Sequence, residues 1–162
     1  MTRDRHPGNG QTGGMEQRVS FVTFAVRDLA RSRAFYVDGL GWEPELEVPG
    51  EVLMFMAGDR LVFSLWDREA FEAEVGEPVI QGDGVPPVSV AHNVASPGQV
   101  RAVLDLARDA GAPVNGPLAR EWGGYSGCFS DPDGFRWEVA WNPGPIGRRV
   151  VPDTEPGDSE ES

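Results

Sequence analysis

Few residues in this chain are equipped for chemistry, and their spacing narrows what that chemistry can be. Glu138 closes the run Asp131-Pro-Asp-Gly-Phe-Arg-Trp-Glu138, a carboxylate set among apolar and aromatic residues. Such a group can orient a donor or cation on a ligand, or act as general base where apolar walls raise its pKa. His92-Asn93 sits inside a β-rich run, where a lone histidine is more often structural than catalytic. Trp122-Gly-Gly-Tyr125-Ser-Gly127 holds two large aromatics in a glycine-rich segment that gives them no packing reason to be there. Its Gly124-Tyr-Ser-Gly127 portion is not a nucleophile elbow, because the second glycine comes one residue early. Cys128 is the single cysteine, so no internal disulfide and no cysteine-rich zinc site can form. All 14 basic residues are arginine, which removes Schiff-base catalysis, a phosphate-cradling P-loop and a Ser–Lys nucleophile together.

Those residues need one body to hold them. The chain has 162 residues, 40% of them apolar and 25% charged, the profile of one globular domain. Its net charge of −12 opposes duplex nucleic acid, which demands a basic surface. No apolar run approaches the roughly 20 residues of a membrane span. Nor does the N-terminus read as a secretory signal, since Gly, Asn and Gln follow Arg3 and Arg5. A cytoplasmic location, with neither nucleic acid nor membrane as partner, is the expectation.

Residues 1–17 and 145–162 read as a disordered N-terminal extension and an acidic tail, and Met15 stands as an alternative start. Residues 18–144 carry 19 acidic and 10 basic residues, net −9, so the acidity belongs to the folded body. Within it, residues 19–26 are β-rich, Asp28 caps a helix from Leu29 to Asp38, and strands fit 42–48, 52–56 and 60–66. A Gly- and Pro-rich linker follows. The order then repeats: a strand at 88–95, and a helix capped by Ser96-Pro97 whose stripe is Val100, Val103, Leu104 and Ala107. Strands at 112–115, 125–130 and 135–141 complete it. The offset is near 70 residues, which makes this a duplicated βαβββ unit with modules at about 18–75 and 86–144.

Val26-Arg-Asp28-Leu29, running into Ala34-Phe-Tyr36 and Gly39-Leu-Gly-Trp42, resembles the first module of the vicinal oxygen chelate superfamily. That superfamily contains glyoxalase I, the extradiol dioxygenases and the bleomycin-resistance proteins. Asp131-Pro-Asp-Gly134 and the strand through Glu138 resemble its second module. The resemblance implies an α+β fold, two tandem βαβββ modules forming a curved mixed sheet around a cup, and a homodimer. Metal-dependent members place two His and two Glu in that cup, where the metal acts as Lewis acid. Carried over, the first-strand ligand falls on Phe21, seven residues before Asp28; the second-module His falls on Ser89, and Glu138 remains. Matching 58–63 to 133–138 puts Phe63 at the first-module Glu and Trp66 on Trp141. One carboxylate and one hydroxyl do not hold a transition ion against water, so a divalent metal is disfavoured and no other cofactor is expected. His92, at odd parity from Ser89, should face away from the cup.

The cup is then expected to be apolar, with Phe21, Thr23, Phe63 and Leu65 inward from one module and Ser89, Ala91, Glu138 and Ala140 from the other. Trp122 and Tyr125 are placed to close over its mouth. The reading favoured is a metal-free binder of a small aromatic or cationic molecule, with Glu138 orienting it. The alternative is a lyase, isomerase or dioxygenase in which Glu138 is base or metal ligand. A third reading is a collapsed cup in a domain that only assembles with partners.

Overall fold

The computed structural model describes residues 14–80 and 82–153. The first module runs β1 (Phe21–Val26), α1 (Leu29–Arg33), β2 (Leu46–Val48), β3 (Val52–Met56) and β4 (Val62–Asp67). Asp28 caps α1 by accepting from the Arg31 backbone N–H, and the helix widens into a π-helical stretch over Ala34–Gly39. The second module runs β5 (Ser89–Asn93), α3 (Pro97–Asp109), β6 (Val114–Ala119), β7 (Tyr125–Ser130) and β8 (Arg136–Trp141). Ser96 caps α3 through the Gln99 N–H, with Pro97 in its first turn. Each module is one mixed four-stranded sheet, ordered β1-β4-β3-β2 and β5-β8-β7-β6, and no backbone pairing joins the two among the described residues.

Strand β2 is shorter than the expected 42–48, β6 runs on to Ala119 beyond the expected 112–115, and two helices form where none was expected. Residues 68–75 form α2 (Arg68–Val75), capped by Asp67 and closed by Gly76 at φ 80°. Its cap and its glycine are both visible in the sequence, but the short, polar helix has no apolar stripe to announce it. Pro145–Val150, assigned to the tail, forms a short helix, α4, whose Gly147 packs so closely on Asn142 that a Cβ would lie 2.2 Å from the Asn142 carbonyl oxygen. The expectation for residues 1–17 falls mostly on 1–13, which lie outside the described residues, as do 154–162.

Both modules contribute to a single core through the helix side of their sheets. Phe24, Phe55, Phe63 and Leu65 come from one sheet, and Phe129, Trp137 and Val139 from the other. Phe63 and Trp137 meet edge to face at 5.5 Å, and Phe24 stacks on Phe135 at 4.1 Å. Polar groups lock the same junction. The Trp137 indole N–H donates to the Tyr36 hydroxyl (3.0 Å), which donates to Asp131 (2.7 Å). Asp133 accepts from the Arg27 backbone N–H at 2.9 Å. The Asp131-Pro-Asp-Gly134 turn, with Gly134 at φ 85°, is therefore both a strand reversal and the joint between modules.

Candidate functional site

Because each sheet gives its helix side to the common core, the opposite face of each is left open, and pairing register fixes what stands on it. On the first module, one row across the strands is Phe21–Val62–Met56 and the next is Thr23–Ser64–Met54–Leu46. On the second, the corresponding rows are Ser89–Arg136–Ser130 and Ala91–Glu138–Cys128–Asn115. Residues paired in register point to the same side of a sheet, and alternate residues to opposite sides.

The registers correct the sequence-based alignment of the modules. Phe21 pairs with Val62 just as Ser89 pairs with Arg136, so the residue equivalent to Glu138 is Ser64 and not Phe63. Trp66 likewise corresponds to Ala140. Phe63 and Leu65 point into the core, where both are buried, and leave the face that Phe21 and Thr23 share. A slip of one residue exchanges the faces of a whole strand. Tyr125 also belongs to the helix side: it pairs with Trp141, and its ring lies under the Arg101 guanidinium at 5.5 Å. Trp122 is exposed, its ring laid over Gly124 so closely that a Cβ there would overlap it. Phe21, Thr23, Ser89, Ala91 and Glu138 do stand on the open faces. His92 pairs with Val139 on the helix side, as its parity requires, and partial burial lowers its pKa.

The chemical character of the two faces differs. The first is apolar, with Phe21, Leu46 and Met56 exposed by 56%, 47% and 44%. Part of it is covered by α2, which packs on β1 and β4 and brings Phe71 against Trp66 at 6.3 Å. The second face is polar and charged. Glu138 is half-buried there between Ala91 and Cys128, with no ion-pair partner among the described residues. Aromatic walls do not surround it, since Trp137 and Phe129 face the core. Three buried side-chain polar atoms lack a hydrogen-bond partner among the described residues: Ser64 Oγ, Trp66 Nε1 and Arg136 Nε. All three residues stand on the open faces of β4 and β8.

The site positions implied by the resemblance can now be read on geometry. Phe21, Ser64, Ser89 and Glu138 occupy them, and a phenyl ring, two hydroxyls and one carboxylate do not make the donor set of a divalent ion. No group of three His, Cys, Asp or Glu is assembled among the described residues. The metal of the superfamily does not fit these residues.

Residues 18–139 match the family model of the Glyoxalase/Bleomycin resistance protein/Dioxygenase superfamily. Among solved structures, a glyoxalase-related enzyme from Fulvimarina pelagi is 31% identical, with a TM-score of 0.71 over 78% of this chain and 89% of that one. A glyoxalase/bleomycin resistance protein/dioxygenase from Nocardioides shares the fold at 21% identity, with a TM-score of 0.69 over 92% of this chain and 93% of its own. Lactoylglutathione lyase from Agrobacterium tumefaciens does so at 24% identity and a TM-score of 0.61, over 77% and 93%. No curated protein matches the sequence significantly.

Proposed function

The chain belongs to the glyoxalase/bleomycin resistance protein/dioxygenase superfamily, and from that premise we propose that it binds a small organic molecule on its open sheet faces without the superfamily's metal. One observation carries this reading: the four positions that would hold the ion are Phe21, Ser64, Ser89 and Glu138. The apolar row of Phe21, Val62 and Met56 suits an aromatic or aliphatic body. Glu138, free of any ion pair among the described residues, suits a donor or cation. The net charge of −12 favours the same ligands and repels simple anions. The fold itself does not decide the chemistry, since members of one fold support many.

The reading includes a homodimer. Within one chain the apolar and charged faces lie on either side of the shared core, so a second copy is needed to bring an apolar face over a charged one.

Elemental analysis of the purified protein, with thermal shifts in nickel, zinc, manganese and iron(II), tests the metal-free site. The expected result is no stoichiometric metal and no shift beyond that of Glu138→Gln. Stoichiometric metal that Glu138→Gln abolishes would overturn it and favour the lyase or dioxygenase chemistry of the superfamily.

A further inference from the structure

Arg136 is the least explained charged residue of the second module. It opens β8 on the open face, in register with Ser89 on one side and Ser130 on the other. It makes no ion pair and no side-chain hydrogen bond among the described residues, and its Nε is buried without a partner. An arginine satisfies its planar fork of donors with a carboxylate or phosphate wherever the fold supplies one. A buried donor left unmade is costly, more so when the group is charged. Arg18, Arg27, Arg33 and Arg108 each pair with a carboxylate of the chain, and among the described residues Arg136 is the arginine whose Nε is buried without a partner. Here none of the described residues fills the role, and Ser89 and Ser130 stand in register on either side of it.

Two residues along the same strand and on the same face stands Glu138, also without an ion pair. The strand rise separates the two backbone positions by about 6.6 Å. They do not neutralise one another. The arrangement is a cation and an anion side by side on one polar face, each without an ion pair among the described residues.

We propose that Arg136 and Glu138 together recognise an amphoteric ligand, its anionic oxygen group held by Arg136 with Ser89 and Ser130, its cationic or donor group held by Glu138. This rests on the small-molecule reading above and names the chemistry of that ligand. A net charge of −12 disfavours a free anion, so a carboxylate on a molecule that also carries positive charge is the better match to Arg136. In the sequence Arg136 lies inside the turn-and-strand motif and carries no signal of its own beside Asp131, Gly134 and Glu138. The registers of β8 with β5 and β7 single it out.

The test is calorimetric titration of the full chain with three probes that share a benzyl or phenyl body: 4-(aminomethyl)benzoate, benzylamine and benzoate. The expected result is that wild type binds 4-(aminomethyl)benzoate at least tenfold more tightly than either of the others. In Arg136→Gln the ratio of its affinity to that of benzylamine should collapse to about one. Glu138→Gln should instead collapse its ratio to benzoate. Thermal unfolding of Arg136→Gln accompanies this. A ligand-facing arginine with an unmet donor predicts a midpoint equal to or above wild type, whereas a structural arginine predicts a lower one. Benzylamine binding with no gain from the added carboxylate overturns the amphoteric assignment and leaves the small-molecule reading standing. Binding of none of the three overturns both.

Discussion

Asp131 shows how one side chain can join two halves of a molecule and make the joint sensitive to pH. Its Oδ1 accepts from the backbone N–H groups of Asp133 (3.0 Å) and Phe135 (2.9 Å), while Oδ2 accepts from the Tyr36 hydroxyl across the module boundary. Burial pushes its carboxyl up to about 6, against the pull of the three hydrogen bonds, and burial with the Asp131 charge pushes the Tyr36 phenol up as well. The folded carboxyl therefore lies above the unfolded value of about 3.8. Between those two values the folded chain keeps a proton that the unfolded chain has lost. The resulting stabilisation is complete below the unfolded pKa and disappears as pH rises through about 6; for a group this buried it amounts to about 3 kcal/mol. Asp131→Asn keeps an acceptor for the two turn bonds and removes the titration. Thermal midpoints at pH 5 and pH 7.5 should show wild type losing ground to Asp131→Asn at the higher pH; a constant difference would refute the assignment. The sequence revealed the turn, because Asp-Pro-Asp-Gly is a local signal. It could not reveal Tyr36 as its partner, because that contact spans 95 residues.

Among the elements, β-rich runs and an apolar helix stripe were legible, and the register between strands was not. Strands β3 and β7 cover the residues expected of them, and α3 follows its stripe from its Ser96 cap. Strand β4 was misplaced by one residue against β8. Trp66 and Trp141 invite superposition by identity, yet register sets Trp66 opposite Ala25 as it sets Ala140, not Trp141, opposite Asn93. That slip is what put Phe63 on the ligand face in place of Ser64. It changes the side chain at the site without restoring a metal ligand. Close approach between elements is equally silent in sequence. Gly127 lies on the helix side of β7, where a Cβ would stand 2.6 Å from Leu104 Cδ1 of α3 and 2.8 Å from the Asn115 carbonyl oxygen. Gly127→Ala should lift α3 from its sheet and cost about 1–3 kcal/mol in denaturant unfolding. Gly98→Ala, in the first turn of the same helix and meeting nothing nearer than 3.8 Å, should be neutral or stabilise by up to about 1 kcal/mol. Equal effects at the two positions would mean that α3 is not seated on Gly127.

At the scale of the whole molecule, the back-to-back joining of the modules leaves a single chain with an apolar face and a charged face that cannot meet. Two copies related by a twofold axis can lay the apolar face of each over the charged face of the other, forming two equal sites. Met56 lies in the apolar row with Val62 and Phe21, well exposed and outside the shared core. Exposed apolar residues gathered in this way mark an interaction surface more often than scattered ones do. Sedimentation of wild type should therefore give a dimer, and Met56→Glu should give a monomer whose far-ultraviolet circular dichroism is unchanged. The charge also tests where the ligand sits. If each site is closed by the partner's apolar face, Met56→Glu should lose affinity for 4-(aminomethyl)benzoate along with the dimer, although Arg136 and Glu138 are untouched. A monomeric wild type, or a Met56→Glu monomer that binds the probe as wild type does, would place the whole site on the second module alone.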